Sequence, residues 1–198
     1  SGVIHCGVYY VPGSAKARLC VEGSRAMYAF CEEHAIPHER CGKLIVARSR
    51  DELPRLDALE ARGRANGVPG LRRVTAAEIS ELEPACVGVA GLHSPGTGIV
   101  DYGRGARALA DDIRARGGAI EVGARVAGVE RRAGETRVRH ARGEARARRV
   151  TACAGLWSDR LAAASGAPDD PRIVPFRGAY LYLRPAAAAR IRGMVYPV

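Results

Sequence analysis

The 198-residue sequence has no C-x-x-C pair, no internal repeat and no low-complexity linker. It also lacks any run approaching the roughly 18 consecutive apolar residues of a membrane span. No helix should therefore cross a bilayer, although peripheral contact stays open. The six cysteines, at 6, 20, 31, 41, 86 and 153, are spaced too irregularly for a disulfide framework. His5 and Cys6 have no metal-site spacing around them, so no metal is expected. Reduced thiols point to a cytoplasmic protein, possible contact being with the inner face of a membrane. No secretory signal peptide is visible.

At 47% hydrophobic, the chain can bury a sizeable core and should form one or two domains. Its charge is +10, from 31 basic and 21 acidic residues. Arg131, Arg132, Arg137, Arg139, Arg142, Arg146, Arg148 and Arg149 crowd one stretch. A basic module binding nucleic acid would look similar. Here aromatics are missing, Glu130, Glu135 and Glu144 interrupt the run, and Arg alternates with Val, Ala and Gly. A solvated face of a small antiparallel sheet fits better, with no nucleic-acid partner.

Turn and cap signals divide the rest. Ser14 should cap a helix over residues 14–35, ended by Pro37. Leu44-Ile45-Val46-Ala47 reads as a strand and residues 49–66 as a surface helix with charged outward positions. A short strand over 71–74 precedes Thr75-Ala76-Ala77-Glu78, a capping-box match. Residues 87–93 and 119–122 read as strands, and Asp101 caps a helix to Arg116 ended by Gly117-Gly118. Gly103-x-Gly105-x-x-Ala108 fits a dinucleotide fingerprint, but Asp101 puts an anion where a pyrophosphate would sit, and an ordinary capped helix is preferred. Residues 126–150 read as a β-meander, and residues 179–183 as an alternating strand.

The most informative stretch is Val150-Thr151-Ala152-Cys153-Ala154-Gly155-Leu156-Trp157-Ser158. Small apolar residues suggest a strand buried on both faces; Gly155 permits a turn, Ser158 caps a helix, and Gly166 ends it. This α/β crossover lets a backbone or a ligand approach closely. With Asp170-Pro171-Arg172-Ile173-Val174-Pro175-Phe176-Arg177-Gly178, it resembles the FAD-dependent oxidoreductases of the D-amino-acid oxidase and glycerol-3-phosphate dehydrogenase superfamily. Within that superfamily it is most similar to the L-2-hydroxyglutarate oxidase/dehydrogenase branch. Gly2-Val3-Ile4-His5-Cys6-Gly7-Val8-Tyr9-Tyr10, Cys41-Gly42-Lys43-Leu44, Asn66-Gly67-Val68-Pro69-Gly70-Leu71 and Thr97-Gly98-Ile99-Val100-Asp101-Tyr102 match it in the same order.

The resemblance implies a mixed α/β fold: part of a Rossmann-like FAD domain with its β-meander (residues 1–38 and 93–172) and part of a mixed-sheet substrate domain (39–92 and 173–198). It also implies an internal portion of a longer protein, without the family's Gly-rich pyrophosphate loop. The implied reaction is hydride transfer from C2 of L-2-hydroxyglutarate to flavin N5, giving 2-oxoglutarate, with oxygen or a respiratory quinone as electron acceptor. Amino-acid or glycerol-3-phosphate oxidation is the alternative within the superfamily. His5, Gly7, Val8, Val126, Cys153, Ala154, Gly155, Trp157 and Ser158 match flavin-binding positions. His5 beside the flavin could take the alcohol proton, and Cys6 could anchor the flavin covalently. A dicarboxylate needs cationic clamps, for which Arg177 and Lys43 are the candidates, with Tyr102 and Tyr180 as pocket walls. Trp157 and the tyrosines could equally be packing residues, and Arg177 and Lys43 surface or interface charges.

Overall fold

A computed structural model describes residues 2–198. It divides into two units, residues 2–112 with 182–198, and residues 113–181.

The first unit contains two sheets. In the larger, the order is β10 (Met194–Pro197), β3 (Lys43–Ala47), β5 (Ala90–Ser94), β4 (Arg72–Thr75). Strand β3 runs parallel to β10 and antiparallel to β5, so the sheet is mixed, as expected. Every residue of β3 is buried, because both faces are covered. Ile45 and Ala47 face a core of Val8, Leu56, Val68, Leu71 and Leu92. Leu44 and Val46 alternate to the other face, against Val74 and Ile79. Helix α2 (Leu53–Ala65) supplies Leu56 to the first core, and α3 (Ala76–Leu82) supplies Ile79 to the second. The Thr75–Glu78 capping box forms, each side chain accepting the other's backbone N–H.

The smaller sheet has the order β1 (Val3–Ile4), β6 (Gly98–Val100), β2 (His38–Glu39), all antiparallel. Helix α1 (Ala15–Glu33) covers it with Tyr28 and Cys31. Ser14 caps α1 by accepting the Ala17 N–H. The helix stops two residues before the expected Ala35, which turns left-handed at φ 51 so that the Ile36 N–H can bond the Cys31 carbonyl. At Gly98 a Cβ would collide with the Tyr28 hydroxyl and the Glu39 carbonyl, which makes glycine obligatory there. Asp101 accepts the Arg104 N–H at the start of α4 (Tyr102–Ala115), the ordinary cap expected over the dinucleotide fingerprint.

The second unit is built on the meander β7 (Val126–Arg132), β8 (Glu135–His140), β9 (Gly143–Ala147), paired antiparallel. The arginines meet glutamates along and across strands: Arg137 pairs with Glu135 and Glu144, Arg139 with Glu130, and Arg146 with Glu144. Helix α5 (Ser158–Ala164) is tied to β7 through Ser165, whose hydroxyl accepts the Val129 N–H and donates to the Leu161 carbonyl.

Four sequence-based expectations fail here. Residues 150–154 and 179–183 are irregular, and residues 119–122 form no strand. A strand needs a neighbour for its backbone groups, and none pairs with these stretches among the described residues. Ser158 is the first residue of α5 rather than its cap; its hydroxyl donates to the Gly155 carbonyl. The short helix α6 (Pro185–Ala188) then leads the chain back to β10.

That return is held by Glu83. Its side chain is 3% exposed, and Oε2 accepts the N–H groups of Arg192 (2.8 Å) and Gly193 (3.1 Å) just before β10. Glu83→Ala should cost about 2–3 kcal/mol, the scale of charge-assisted bonds lost from a buried site, and Glu83→Gln clearly less. Chemical denaturation of the full-length protein checks both. Replacing Arg137, Arg139 and Arg146 together with Gln should shift stability by no more than about 1 kcal/mol and leave turnover near wild type, because exposed pairs contribute little. A thermal melt and steady-state rate on the triple variant test this.

Candidate substrate and cofactor residues

The most unusual side chain of the first unit is Lys43, which opens β3 and is 1% exposed. Its alternation with Ile45 sends it to the face shared with the core around Val8 and Cys6. Among the described residues no carboxylate or carbonyl holds its ammonium. Two aromatic rings do: Nζ lies 4.2 Å from the centre of Tyr196 and 5.1 Å from that of Tyr9. Ring faces attract a cation and offset part of its desolvation. Burial still pushes the Lys43 amine below the ordinary lysine range, against the opposing influence of the Cys6 and Cys20 thiols.

The same surroundings tune their other members. Tyr9 is pushed up to about 12 by burial, with Cys6 and Tyr196 adding to it. His5 is exposed at the surface, yet its imidazole is pulled below its usual range, chiefly by partial desolvation and then by the charge of Lys43, which favours the neutral form. The His5 carbonyl accepts from the Cys20 thiol. Cys6 is a buried free thiol, and Val8 is fully enclosed. Gly7 stands at φ 97, and a Cβ there would lie 2.9 Å from Cγ2 of Val21. Together His5, Cys6, Tyr9, Lys43 and Tyr196 make a polar-aromatic cluster at one end of the mixed sheet. Tyr9 was visible only as part of a motif, and Tyr196 carried no signal at all, since its place depends on β10 pairing with β3. Tyr102 sits elsewhere in this unit, its hydroxyl donating to the Val3 carbonyl.

Beside β3, a small cleft of about 70 Å³ is lined by Cys41, Gly42, Glu83, His93 and Arg192. Burial and the charge of Arg72 lower the His93 imidazole.

In the second unit, residues 152–155 are small and mostly uncovered. Gly155 is left-handed at φ 55 with nothing within 4 Å of the position a Cβ would take. Cys153 is an exposed thiol, Val126 begins β7 at 40% exposure, and Trp157 is 56% exposed with the Arg160 guanidinium 4.6 Å from its ring centre. A cleft of about 570 Å³ opens beside this stretch, its lining including Val129, Val150, Ala152, Leu161, Arg131 and Arg149. Arg177 and Tyr180 lie in the irregular, exposed residues 171–181, and no hydrogen bond or ion pair involves either among the described residues. Lys43, His5, Gly7 and Val8 thus belong to one unit, whereas Arg177, Tyr180, Val126, Cys153, Ala154, Gly155, Trp157 and Ser158 belong to the other.

No helix among the described residues is long and apolar enough to cross a membrane. No group of three or more His, Cys, Asp or Glu among them could hold a metal ion.

Comparison with known proteins gives concordant results. The profile of the family described as FAD dependent oxidoreductase matches residues 1–198. A mitochondrial L-2-hydroxyglutarate dehydrogenase of Nematostella vectensis is 46% identical over all of this chain and 46% of its own length. The human mitochondrial enzyme of that name is 43% identical, over all of this chain and 45% of its own. An L-2-hydroxyglutarate dehydrogenase of Indibacter alkaliphilus is 39% identical over all of this chain and 50% of its own. The chain therefore spans about half the length of these curated relatives. Among solved structures, L-α-glycerophosphate oxidase of Mycoplasma pneumoniae with FAD bound superposes at a TM-score of 0.82 with 22% identity, covering all of this chain and 53% of that one. Glycine oxidase of Geobacillus kaustophilus gives 0.73 with 22% identity, over 83% of this chain and 46% of its own. At that identity the likeness is one of fold.

Gly7→Ala should destabilise the protein by about 2–3 kcal/mol, combining a left-handed backbone with crowding of Val21. Urea unfolding of the full-length protein measures it; a loss below about 0.5 kcal/mol would show that the turn relaxes freely.

Proposed function

The chain belongs to the FAD-dependent oxidoreductase (DAO) family, whose cofactor is FAD, and from that premise we propose that the whole protein oxidises a 2-hydroxy dicarboxylate, L-2-hydroxyglutarate foremost, to the 2-oxo acid. The observation that carries this reading is Lys43, a buried cation with no anion paired to it among the described residues. A substrate carboxylate completes its surroundings, as the desolvation of an ammonium demands. The rings of Tyr9 and Tyr196 cover part of the ammonium and restrict the directions from which a carboxylate approaches.

His5 takes the hydroxyl proton, a role suited to an imidazole whose neutral form is favoured by partial desolvation and by the neighbouring ammonium. Bound FAD supplies the two-electron acceptor for the hydride leaving C2. The residues assigned to it fit such a group. Gly155 presents open space on a left-handed backbone, residues 152–155 are small and uncovered, and Gly7 and Val8 form a rigid turn beside His5. The residues that would contact FAD are, in the first unit, His5, Gly7 and Val8; in the second unit, considered by itself, the assigned residues are Val126, Cys153, Ala154, Gly155, Trp157 and Ser158. In the second unit Arg177 is the proposed carboxylate ligand, with Tyr180 as a wall of the substrate pocket. The electrons pass on to oxygen or a quinone.

In the full-length protein, Lys43→Met should keep its flavin but lose on the order of 2–4 kcal/mol in kcat/KM for L-2-hydroxyglutarate. Binding requires the charged amine, so affinity for the substrate dianion should fall as pH rises through the lowered Lys43 pKa. Lys43→Arg should carry that alkaline limb out of range. Steady-state kinetics between pH 6 and about 10 decide; wild-type kcat/KM in Lys43→Met would remove Lys43 from the site.

A further inference from the structure

The stretch Asn66-Gly67-Val68 has no role in the chemistry above, yet its geometry is specific. Asn66 closes α2, and Gly67 takes the left-handed position at φ 67. The Gly67 N–H bonds the Arg64 carbonyl and the Val68 N–H bonds the Gly63 carbonyl, both at 3.0 Å. This is a Schellman ending, and Val68 is buried beneath it. The backbone of the helix end is thereby satisfied without the Asn66 side chain, which is free to reach elsewhere.

It reaches the turn at residues 7–10. Nδ2 of Asn66 donates to the Gly7 carbonyl at 2.9 Å and to the Tyr10 carbonyl at 2.8 Å. One turn earlier in α2, Nη1 of Arg62 donates to the Tyr9 carbonyl at 3.1 Å. Three of the four carbonyls in that turn are thus held by the last turn of one helix. The two acceptors fix which way the amide points, and Oδ1 is left buried with no partner among the described residues. An aspartate has no N–H to give, and an aliphatic residue would strand two carbonyls.

We propose that Asn66 is a positioning residue for the substrate clamp: its amide locks the turn that lays Tyr9 over Lys43. The inference rests on the reading of Lys43 as the carboxylate-binding cation. Tyr9 is one of the two rings that screen the ammonium, the other being Tyr196 on β10. Cys6, Cys20 and His5 are the remaining titratable neighbours, and Cys6 and His5 lie on or beside the same turn. Releasing the turn from α2 lets Tyr9 swing away and water reach Nζ. The amine then returns toward an ordinary lysine, and a bound carboxylate loses its fixed, dry partner.

The test uses the full-length flavoprotein and glutarate, a dicarboxylate with no hydroxyl to oxidise, titrated by calorimetry across pH. Asn66→Ala should weaken glutarate roughly tenfold, the effect of about one hydrogen bond. It should also move the alkaline limb of binding to higher pH. Arg62→Met, which removes a single tether from an exposed side chain, should shift both quantities the same way by less. A variant that only loosens the fold would melt earlier and leave the limb where wild type has it, and that result would overturn the proposal. Lys43→Met separates the two ideas. If it binds glutarate as wild type does, the clamp itself is wrong. If it loses glutarate while Asn66→Ala and Arg62→Met keep wild-type affinity and limb, the clamp stands and the positioning role fails.

Discussion

A charged amine sealed into a sheet organises one end of the first unit. Lys43 occupies the first position of β3, an interior strand paired with β10 and β5 on its two edges and with cores on both faces. Moving an ammonium out of water costs several kcal/mol, and two tyrosine rings return only part of that. The neighbouring groups respond to the same field: the imidazole of His5 is biased to its neutral form and the hydroxyl of Tyr9 resists ionisation. Three elements far apart in sequence converge to make it so, namely the turn after β1, the start of β3 and the end of β10.

Local rules made much of this legible beforehand. Ser14, the Thr75–Glu78 box and Asp101 act as caps because each is decided within a few residues. The meander is legible for the same reason: its turns are short and its strands pair with their immediate neighbours. What escaped was whatever depends on a distant partner. Residues 150–154 have the composition of a buried strand, yet without a pairing edge they are irregular. Residues 179–183 alternate well and fail likewise. Lys43 was visible as a charge next to an apolar run. That it is dry, and that Tyr196 lies against it, follows from a parallel pairing across most of the chain.

The two kinds of charge in the molecule illustrate how environment decides worth. The meander arginines are numerous, exposed and matched by Glu130, Glu135 and Glu144 across strands; they decorate a surface and dominate the net charge. A single buried lysine, counted as one of 31 basic residues, is the charge whose surroundings are dry. Fractional exposure, rather than local charge density, separates the two.

The parallel pairing of β10 with β3 also sets an order of events during synthesis. About 150 residues separate the two strands, and the whole second unit is threaded between them. Closing a loop that long costs entropy only logarithmically, but it cannot begin until the distal strand exists. A nascent chain that has already emitted β3, β4 and β5 therefore carries an open sheet edge and a lysine with one of its two rings missing. Translation of the inserted unit becomes a waiting period, during which that edge is exposed to any other extended segment. The residues that finish the proposed clamp are thus the same ones that close an open sheet edge of the growing chain.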